Sequence, residues 1–378
     1  PTTEIYTLTL HDALPISIDA TPLLLRSAGV KTYVYYWIAH LLREAGPGRA
    51  VRLFPLLEGV GECVHERSVA GPLRTAAGIA LLQAGNWLRG PVLDLIGGGL
   101  DIFHHASQQL RHPPRGCRVT ATLYDMTCWL MPQMHAAANV RANRRFARNV
   151  LSRAAGCIAI SGHTRDDAVR ILGLDPAKIR VIYPGVAPAF FDAAPAPAPK
   201  PYVLFVGTVE PRKNIAALLD GWALLPPSVR EEFDLVLAGS IGWGDAAVAA
   251  RLGAAGPGVR YLGYVPEAEL PALNAGAAVF VYPSLYEGFG LPLAQAMAAG
   301  VPAVTSNVSS LPEVAAGAAL LVDPRSPAEI RAALERLLLS PALRADLGAR
   351  GRARARAAYR WEVCARESWE FFEEIAAG

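Results

Sequence analysis

Short apolar runs rich in Val, Ile and Leu recur along this chain with helix-length segments between them, and that rhythm restricts the fold more than any other feature. In the first half the runs are "ISIDA" (16–20), "RAVRLFPLL" (49–57), "DIFH" (101–104), "VTATLYD" (119–125), "CIAIS" (157–161) and "IRVIYP" (179–184). Runs without polar alternation belong to strands covered on both faces, so they predict a parallel sheet flanked by helices. The segment "DAAPAPAPKP" (192–201) then breaks the rhythm. Alternating Pro and Ala continues neither a helix nor a central strand, and favours an extended linker. Five further runs follow: "YVLFVG" (202–207), "FDLVLAG" (233–239), "GVRYLGY" (258–264), "AAVFVYP" (277–283) and "VPAVTS" (301–306).

The expected fold class is therefore α/β, with two doubly wound Rossmann-like domains facing one another across a cleft. We place the first domain at 17–191, the linker at 192–201 and the second domain at 202–359. Residues 360–378, "WEVCARESWEFFEEIAAG" in the main, read as a terminal helix packing back on the first domain. The carboxyl ends of two such sheets border the cleft, which is where open α/β sheets bind ligands.

Composition narrows the partners. With 36 Lys and Arg against 33 Asp and Glu, the net charge of +3 gives little general attraction to nucleic acid. Five cysteines without a CxxC pair predict neither a disulfide framework nor a zinc site, and suit a reducing cytoplasm. The apolar stretch "AAGIALLQAGNWL" is too short and too polar to span a bilayer. Residues 2–16, "TTEIYTLTLHDALPI", resemble one reading frame of a sequencing adapter except at Thr9, where that frame gives serine. Residues 1–16 are accordingly read as an artefact of a metagenomic contig, and His11 and Asp12 receive no role.

Three stretches carry chemistry. In "VLFVGTVEPRKN" (203–214) a strand ends at Gly207 and, after a loop from Thr208, Arg212 and Lys213 stand at a helix entrance. Cations are disfavoured at that end of a helix dipole, so the pair points to a bound anion such as a diphosphate. In "SAGVKTYVYYWIAHLL" (27–42), Gly29 permits close backbone approach before an amphipathic helix. In "YPSLYEGFGLPLAQAMAAG" (282–300), Gly288 and Gly290 free the backbone to turn, and Pro292 starts a helix. Glu287 projects from the turn, and Gln295 stands about one turn into the helix.

"EGFGLPLAQAMAAGVPAVTSNVSSLPEVAAGAALLVDP" together with "VGTVEPRKN" closely resembles the nucleotide-sugar-dependent retaining glycosyltransferases of the GT-B fold, in particular a bacterial branch with mannosyltransferases of polysaccharide assembly. "IDATPLLLRSAGV", "DIFH", "CIAISGHTRDD" and "RVIYPGV" resemble first-domain landmarks of that group. The resemblance implies that the first domain faces the acceptor and the second holds a nucleoside diphosphate sugar. It assigns Glu287 to the donor sugar's hydroxyls, Gln295 to the ribose, and Arg212 and Lys213 to the diphosphate. Backbone at Gly29, Gly207, Thr208, Gly288, Phe289, Gly290 and Leu291 would line the donor, with the base beside Gly263, Tyr264 and Val265. No D-x-D pair occurs in the chain, so no metal and no cofactor beyond the donor is expected.

Two positions depart from the family pattern. Tyr124 in "TLYDMT" stands where histidine is common, and Gln295 replaces a second glutamate. Tyr124 and Asp125 are expected to meet sugar or acceptor hydroxyls, with His104 and His105 on the acceptor side. "NVRANRRFARNVLSRAAG" (139–156) places Arg141, Arg144, Arg145 and Arg148 along one helix face, which reads either as a solvated surface or as a peripheral dock on anionic lipid. The implied activity is transfer of a hexosyl group to a saccharide or lipid-linked saccharide, in the cytoplasm or at the inner face of the membrane. A degenerate sugar-nucleotide-binding protein and an epimerase or phosphorylase on a similar scaffold are the alternatives.

Overall fold

A computed structural model describes residues 14–25, 29–62, 67–88, 94, 99–242, 246–254, 256 and 258–378. The first sheet contains β1 (Leu14–Asp19), β2 (Arg49–Phe54), β3 (Ile102–His105), β4 (Arg118–Leu123), β5 (Gly156–Ala159) and β6 (Ile179–Val181), in the order β2-β1-β3-β4-β5-β6. The second contains β7 (Tyr202–Val206), β8 (Asp234–Ala238), β9 (Val259–Gly263), β10 (Val279–Tyr282), β11 (Ala303–Ser306) and β12 (Ala319–Val322), in the order β12-β11-β10-β7-β8-β9. Every pairing is parallel. Each of the eleven apolar runs overlaps one of these strands.

Two differences from the sequence reading concern the ends of the sheets. β12 lies in "AALLVDP", where two of the five apolar residues are alanine and only the end positions of the strand, Ala319 and Val322, are buried. As an edge strand without β-branched density, it does not stand out from the helical stretch that follows. At the other end, Leu14 and Pro15 belong to β1 and pair with Arg49 and Ala50, so the strand begins inside the segment assigned to the adapter. His11 and Asp12 lie outside the described residues.

The helices used below are α1 (Gly29–Glu44), α2 (Pro72–Leu88), α3 (Ala137–Asn149), α4 (Gly162–Leu172), α5 (Ile215–Ala223), α6 (Leu291–Ala298), α7 (Leu311–Ala315), α8 (Pro327–Leu338), α9 (Pro341–Ala358) and α10 (Trp361–Ala377). Their starts are written locally. Ser161, Ser326 and Ser340 each accept a first-turn amide, from Thr164, Glu329 and Leu343. Such a cap contributes about 1 kcal/mol. α4 ends on Gly173 in the left-handed conformation.

α10 buries Trp361, Cys364, Ala365, Ser368, Trp369, Phe371 and Phe372, a stripe at helical spacing. The stripe packs on α1, where Trp37 Nε1 donates to Ser368 Oγ at 2.9 Å and Trp369 Nε1 donates to the Leu41 carbonyl at 3.2 Å. The last helix thus returns to the first sheet. No helix among the described residues is long and apolar enough to cross a membrane.

The two sheets are held closed by polar contacts at their facing carboxyl ends. Glu313 of α7 accepts from the Gly162 and His163 amides at 2.7 and 3.0 Å, and from the Tyr183 hydroxyl at 2.9 Å. A carboxylate on two free amides of a helix N-terminus is a favourable charge-assisted arrangement. Ser161 Oγ donates to the Gly288 carbonyl at 2.6 Å, and the Tyr286 hydroxyl donates to Asp167 Oδ2 at 2.6 Å. Gly288 sits so close that a Cβ there would lie 1.8 Å from the Tyr124 carbonyl oxygen. Gly288→Ala should therefore force the sheets apart: small-angle scattering should give a larger radius of gyration, with a lowered melting point. A parent-like radius and melting point would show that the contact is not what holds the cleft closed.

Candidate active site

The second sheet reverses its strand order between β7 and β10, and such a switch point opens a crevice at the carboxyl ends. β7 delivers the loop of Gly207 to Lys213 into this crevice, and β10 delivers Pro283 to Gly290. Arg212 and Lys213 lie in a tight 3₁₀ turn, Pro211–Lys213, after which Asn214 takes a left-handed conformation and α5 begins. Asn214 Nδ2 donates to the Pro283 carbonyl at 3.0 Å and to the Pro324 carbonyl at 2.6 Å. The cationic turn is thereby tied to the segments that follow β10 and β12.

Glu287 meets both cations. Arg212 Nη1 donates to its Oε2 at 2.8 Å and Lys213 Nζ to its Oε1 at 2.7 Å. Lys213 Nζ also donates to the Tyr282 hydroxyl at 2.5 Å, while Arg212 reaches Glu210 Oε1 at 2.7 Å and the Tyr286 carbonyl at 2.8 Å. Glu287 and Lys213 are buried, at 6% and 8% exposure. Burial works to raise the Glu287 pKa, but the Arg212 guanidinium and then the Lys213 ammonium outweigh it and hold the carboxyl down at about 2. Burial pulls Lys213 below its ordinary range, opposed by Glu287. The four charged groups sum to zero. The sequence reading took Arg212 and Lys213 as positive charge awaiting an anion; in the structure Glu287 and Glu210 already balance them.

The turn that presents Glu287 is clamped by the two serines that precede α7. Ser309 Oγ accepts from the Glu287 amide at 3.1 Å, and Ser310 Oγ donates to the Glu287 and Phe289 carbonyls at 2.9 and 3.0 Å. Gly290 precedes α6 at φ 94°, a region unfavourable to other residues. Gln295 lies within α6, 8% exposed. Gly207 follows β7, Gly263 ends β9, and Tyr264 and Val265 follow it, with Tyr264 45% exposed. Gly239, which the sequence reading passed over, joins them: its amide donates to the Gly263 carbonyl at 2.7 Å, and a Cβ on it would meet the Gly207 carbonyl oxygen at 2.0 Å. The three strand ends therefore form a shelf without side chains.

From the first sheet, Tyr124 and Asp125 arrive at the end of β4. Asp125 lines a cavity of about 170 Å³ with Glu210 and Arg212, so it faces the cationic turn. Its Oδ1 accepts from the Thr127 amide and hydroxyl at 2.9 and 2.6 Å. The Tyr124 hydroxyl donates to the Ala106 carbonyl at 2.8 Å. Its one proton is committed there, so toward a sugar hydroxyl it acts as an acceptor. Tyr124 borders a second cavity of about 200 Å³ with Ser107, Gln108 and Gln109. Gly29 is the exposed first residue of α1.

His104 and His105 do not reach the acceptor side. Both are fully buried. His104 has its ring nitrogens at 2.9 and 2.8 Å from the Thr120 and Thr122 hydroxyls and packs on Trp37 and Phe372. His105 packs between Phe103 and Phe146, and burial lowers its pKa to about 3, so it remains neutral. These are core histidines on the two faces of β3.

The buried carboxylate gives a test of the electrostatics. A pKa lowered from 4.5 to about 2 on folding contributes about 3 kcal/mol of stability, fully present above pH 4.5 and lost as pH falls toward 2. Glu287→Gln should reduce unfolding free energy at pH 7 by about 3 kcal/mol, with the deficit against the parent shrinking as pH is lowered. A deficit that is absent at pH 7, or independent of pH, would contradict this ion-pair geometry.

The chain resembles known proteins along nearly its whole length. A family model described as glycosyltransferase family 4 matches residues 27–190, and one described as glycosyl transferases group 1 matches residues 187–354. O-antigen chain mannosyltransferase B of Escherichia coli is 36% identical over 275 residues, covering 70% of this chain and 71% of its own. Phosphatidyl-myo-inositol mannosyltransferase of Mycobacterium leprae is 34% identical over 230 residues, covering 58% and 59%. Sucrose-phosphate synthase from Thermosynechococcus elongatus superposes with a TM-score of 0.71 over 96% of this chain and 99% of that one, at 23% identity. HepE from Anabaena, solved with UDP and glucose, gives 0.67 over 96% and 99%, at 17% identity. At such identities these two likenesses speak to the GT-B fold alone. The matches in sequence go further: the chain belongs to the group 1 glycosyltransferases.

Proposed function

We propose that this protein transfers a hexosyl group, mannose in the first instance, from a nucleoside diphosphate sugar to a saccharide or lipid-linked saccharide in cell-surface polysaccharide assembly. The observation that carries the reading is the convergence of Glu287, Arg212 and Lys213 at the switch point of the second sheet. The mannosyl donor rests on the relatives, among them the O-antigen chain mannosyltransferase.

The balanced charges suggest how a donor is received. A diphosphate brings its own negative charge, so it gains from Arg212 and Lys213 only as Glu287 turns from them. The transferred sugar's hydroxyls are the partners that the turn of Glu287 to Gly290 offers its carboxylate. Donor binding thus exchanges one set of charge-assisted bonds for another, and both cations end on the leaving group. In the reaction the bond from the anomeric carbon to the phosphate oxygen breaks while the bond to the acceptor oxygen forms on the same face. The acceptor's proton passes to the departing phosphate oxygen. Arg212 and Lys213 stabilise the charge that develops there, which is the part of catalysis fixed cations perform best. Configuration is retained and no divalent ion takes part; the absent D-x-D pair supports the second point.

With GDP-, UDP- and ADP-sugars in a thermal-shift screen, a mannose nucleotide should raise the melting point most. Transfer should continue in EDTA and yield the anomer of the donor. Arg212→Ala and Lys213→Ala should each slow transfer by about 10²-fold or more. Strict dependence on added magnesium or manganese, an inverted product, or parent-like rates in both variants would each overturn the corresponding step.

Gln295 should tune affinity, not turnover. A neutral amide forgoes a charge-assisted bond to the ribose, about 1 kcal/mol or roughly fivefold in affinity, remote from the reacting carbon. Gln295→Glu should lower donor KM a few-fold at unchanged kcat. A large rise in kcat would place this residue in the chemistry.

A further inference from the structure

The outer face of α2 is mostly apolar, interrupted by the exposed Gln83. Leu73 is 86% exposed and Trp87 83%, and Ala76, Ala77 and Ala80 between them are exposed as well. With Ala84 they recur at three- and four-residue steps, which align on one side of a helix over about 20 Å. Exposed polar faces are the rule for a helix on a sheet, so this one is turned toward something other than water.

At its carboxyl end the stripe runs into a cavity of about 540 Å³ with Trp87 at the rim. Arg111, Arg145 and Arg148 converge on it from two elements, and His112 also lines it. None of these three arginines has an ion pair among the described residues. The cavity is built, not incidental. Asn86 of α2 donates to the Gln109 carbonyl at 2.9 Å and accepts from the Arg111 amide at 2.7 Å, and Asn149 of α3 donates to the Arg111 carbonyl at 3.3 Å. Three guanidinium groups gathered in one concavity repel one another unless an anion joins them, and their planar forks match phosphate oxygens.

The segment carrying Arg111 also connects this cavity to the cleft. Gln109 borders the cavity beside Tyr124, and Arg111 lines the arginine cavity. Two residues of extended chain span at most ~7 Å. We propose that this surface receives the acceptor: the arginine cavity binds the phosphate of a lipid phosphate, the outward stripe of α2 takes its hydrocarbon, and the attached saccharide extends toward Tyr124 and Asp125. The proposal rests on glycosyl transfer as the function and names the acceptor class.

The test is flotation with vesicles of phosphatidylcholine alone and of phosphatidylcholine doped with polyprenyl phosphate. The parent protein should float with the doped vesicles and not with the plain ones. Arg145→Ala combined with Arg148→Ala should weaken this by roughly 30-fold, taking the usual contribution of each cation near an anionic surface. Trp87→Ser should weaken it too, and excess inorganic phosphate should not compete. All of these positions are exposed, and the variants should keep the parent melting point and the parent thermal shift with nucleoside diphosphate. Equal flotation with both vesicles, or no loss in the double arginine variant, overturns the proposal. Competition by inorganic phosphate together with an unaffected Trp87→Ser variant overturns it in favour of a soluble phosphate ligand. A parent protein without any nucleoside diphosphate shift would instead count against the transferase reading, which separates the two failures.

Discussion

The ion pairs between Glu287 and its two cations are the interaction on which the site depends. A carboxylate and an ammonium taken almost wholly from water each lose several kcal/mol of hydration, and neither would stay charged there alone. Their attraction, with hydrogen bonds from Arg212 and to Tyr282, opposes that cost and holds the Glu287 carboxyl ionised. This fixes the relative position of two loops that are about seventy residues apart in sequence. With Glu210 it also balances the charge of the cationic turn, so Arg212 and Lys213 stand side by side without net repulsion.

The geometry around that centre follows from sheet topology. Because β7 and β10 are neighbours with their connections running in opposite directions, their loops part and leave a crevice. Glycines at three adjacent strand ends keep one wall free of side chains. The first sheet supplies Tyr124 and Asp125 from across the cleft, and Gly288 against the Tyr124 backbone sets how near they come. The return of α10 onto α1 ties the end of the chain to the opposite sheet.

Much of this was legible in the residues because it is local. Apolar runs overlap eleven of the twelve strands, and "EGFG" with "PRK" stand in the loops after β10 and β7. What was not legible depends on contacts between distant positions. Glu210, Tyr282, Asn214, Ser309 and Ser310 carry no signature of their own and matter through what they touch. Charge balance at Arg212 could not be read from its neighbours, since half of it comes from Glu287. His104 and His105 look available at a strand end, yet the helices on both faces of β3 close over them. β12 escaped because alanine serves helix and edge strand alike.

The account turns on Glu287 changing partners when the donor arrives. A crystal structure with a non-transferable nucleoside diphosphate mannose analogue tests this most directly. The account predicts Arg212 and Lys213 on the diphosphate oxygens and the Glu287 carboxylate moved off Lys213 onto sugar hydroxyls, with the base on the glycine shelf of Gly207, Gly239 and Gly263. An analogue bound elsewhere, with Glu287 still on both cations, would contradict it.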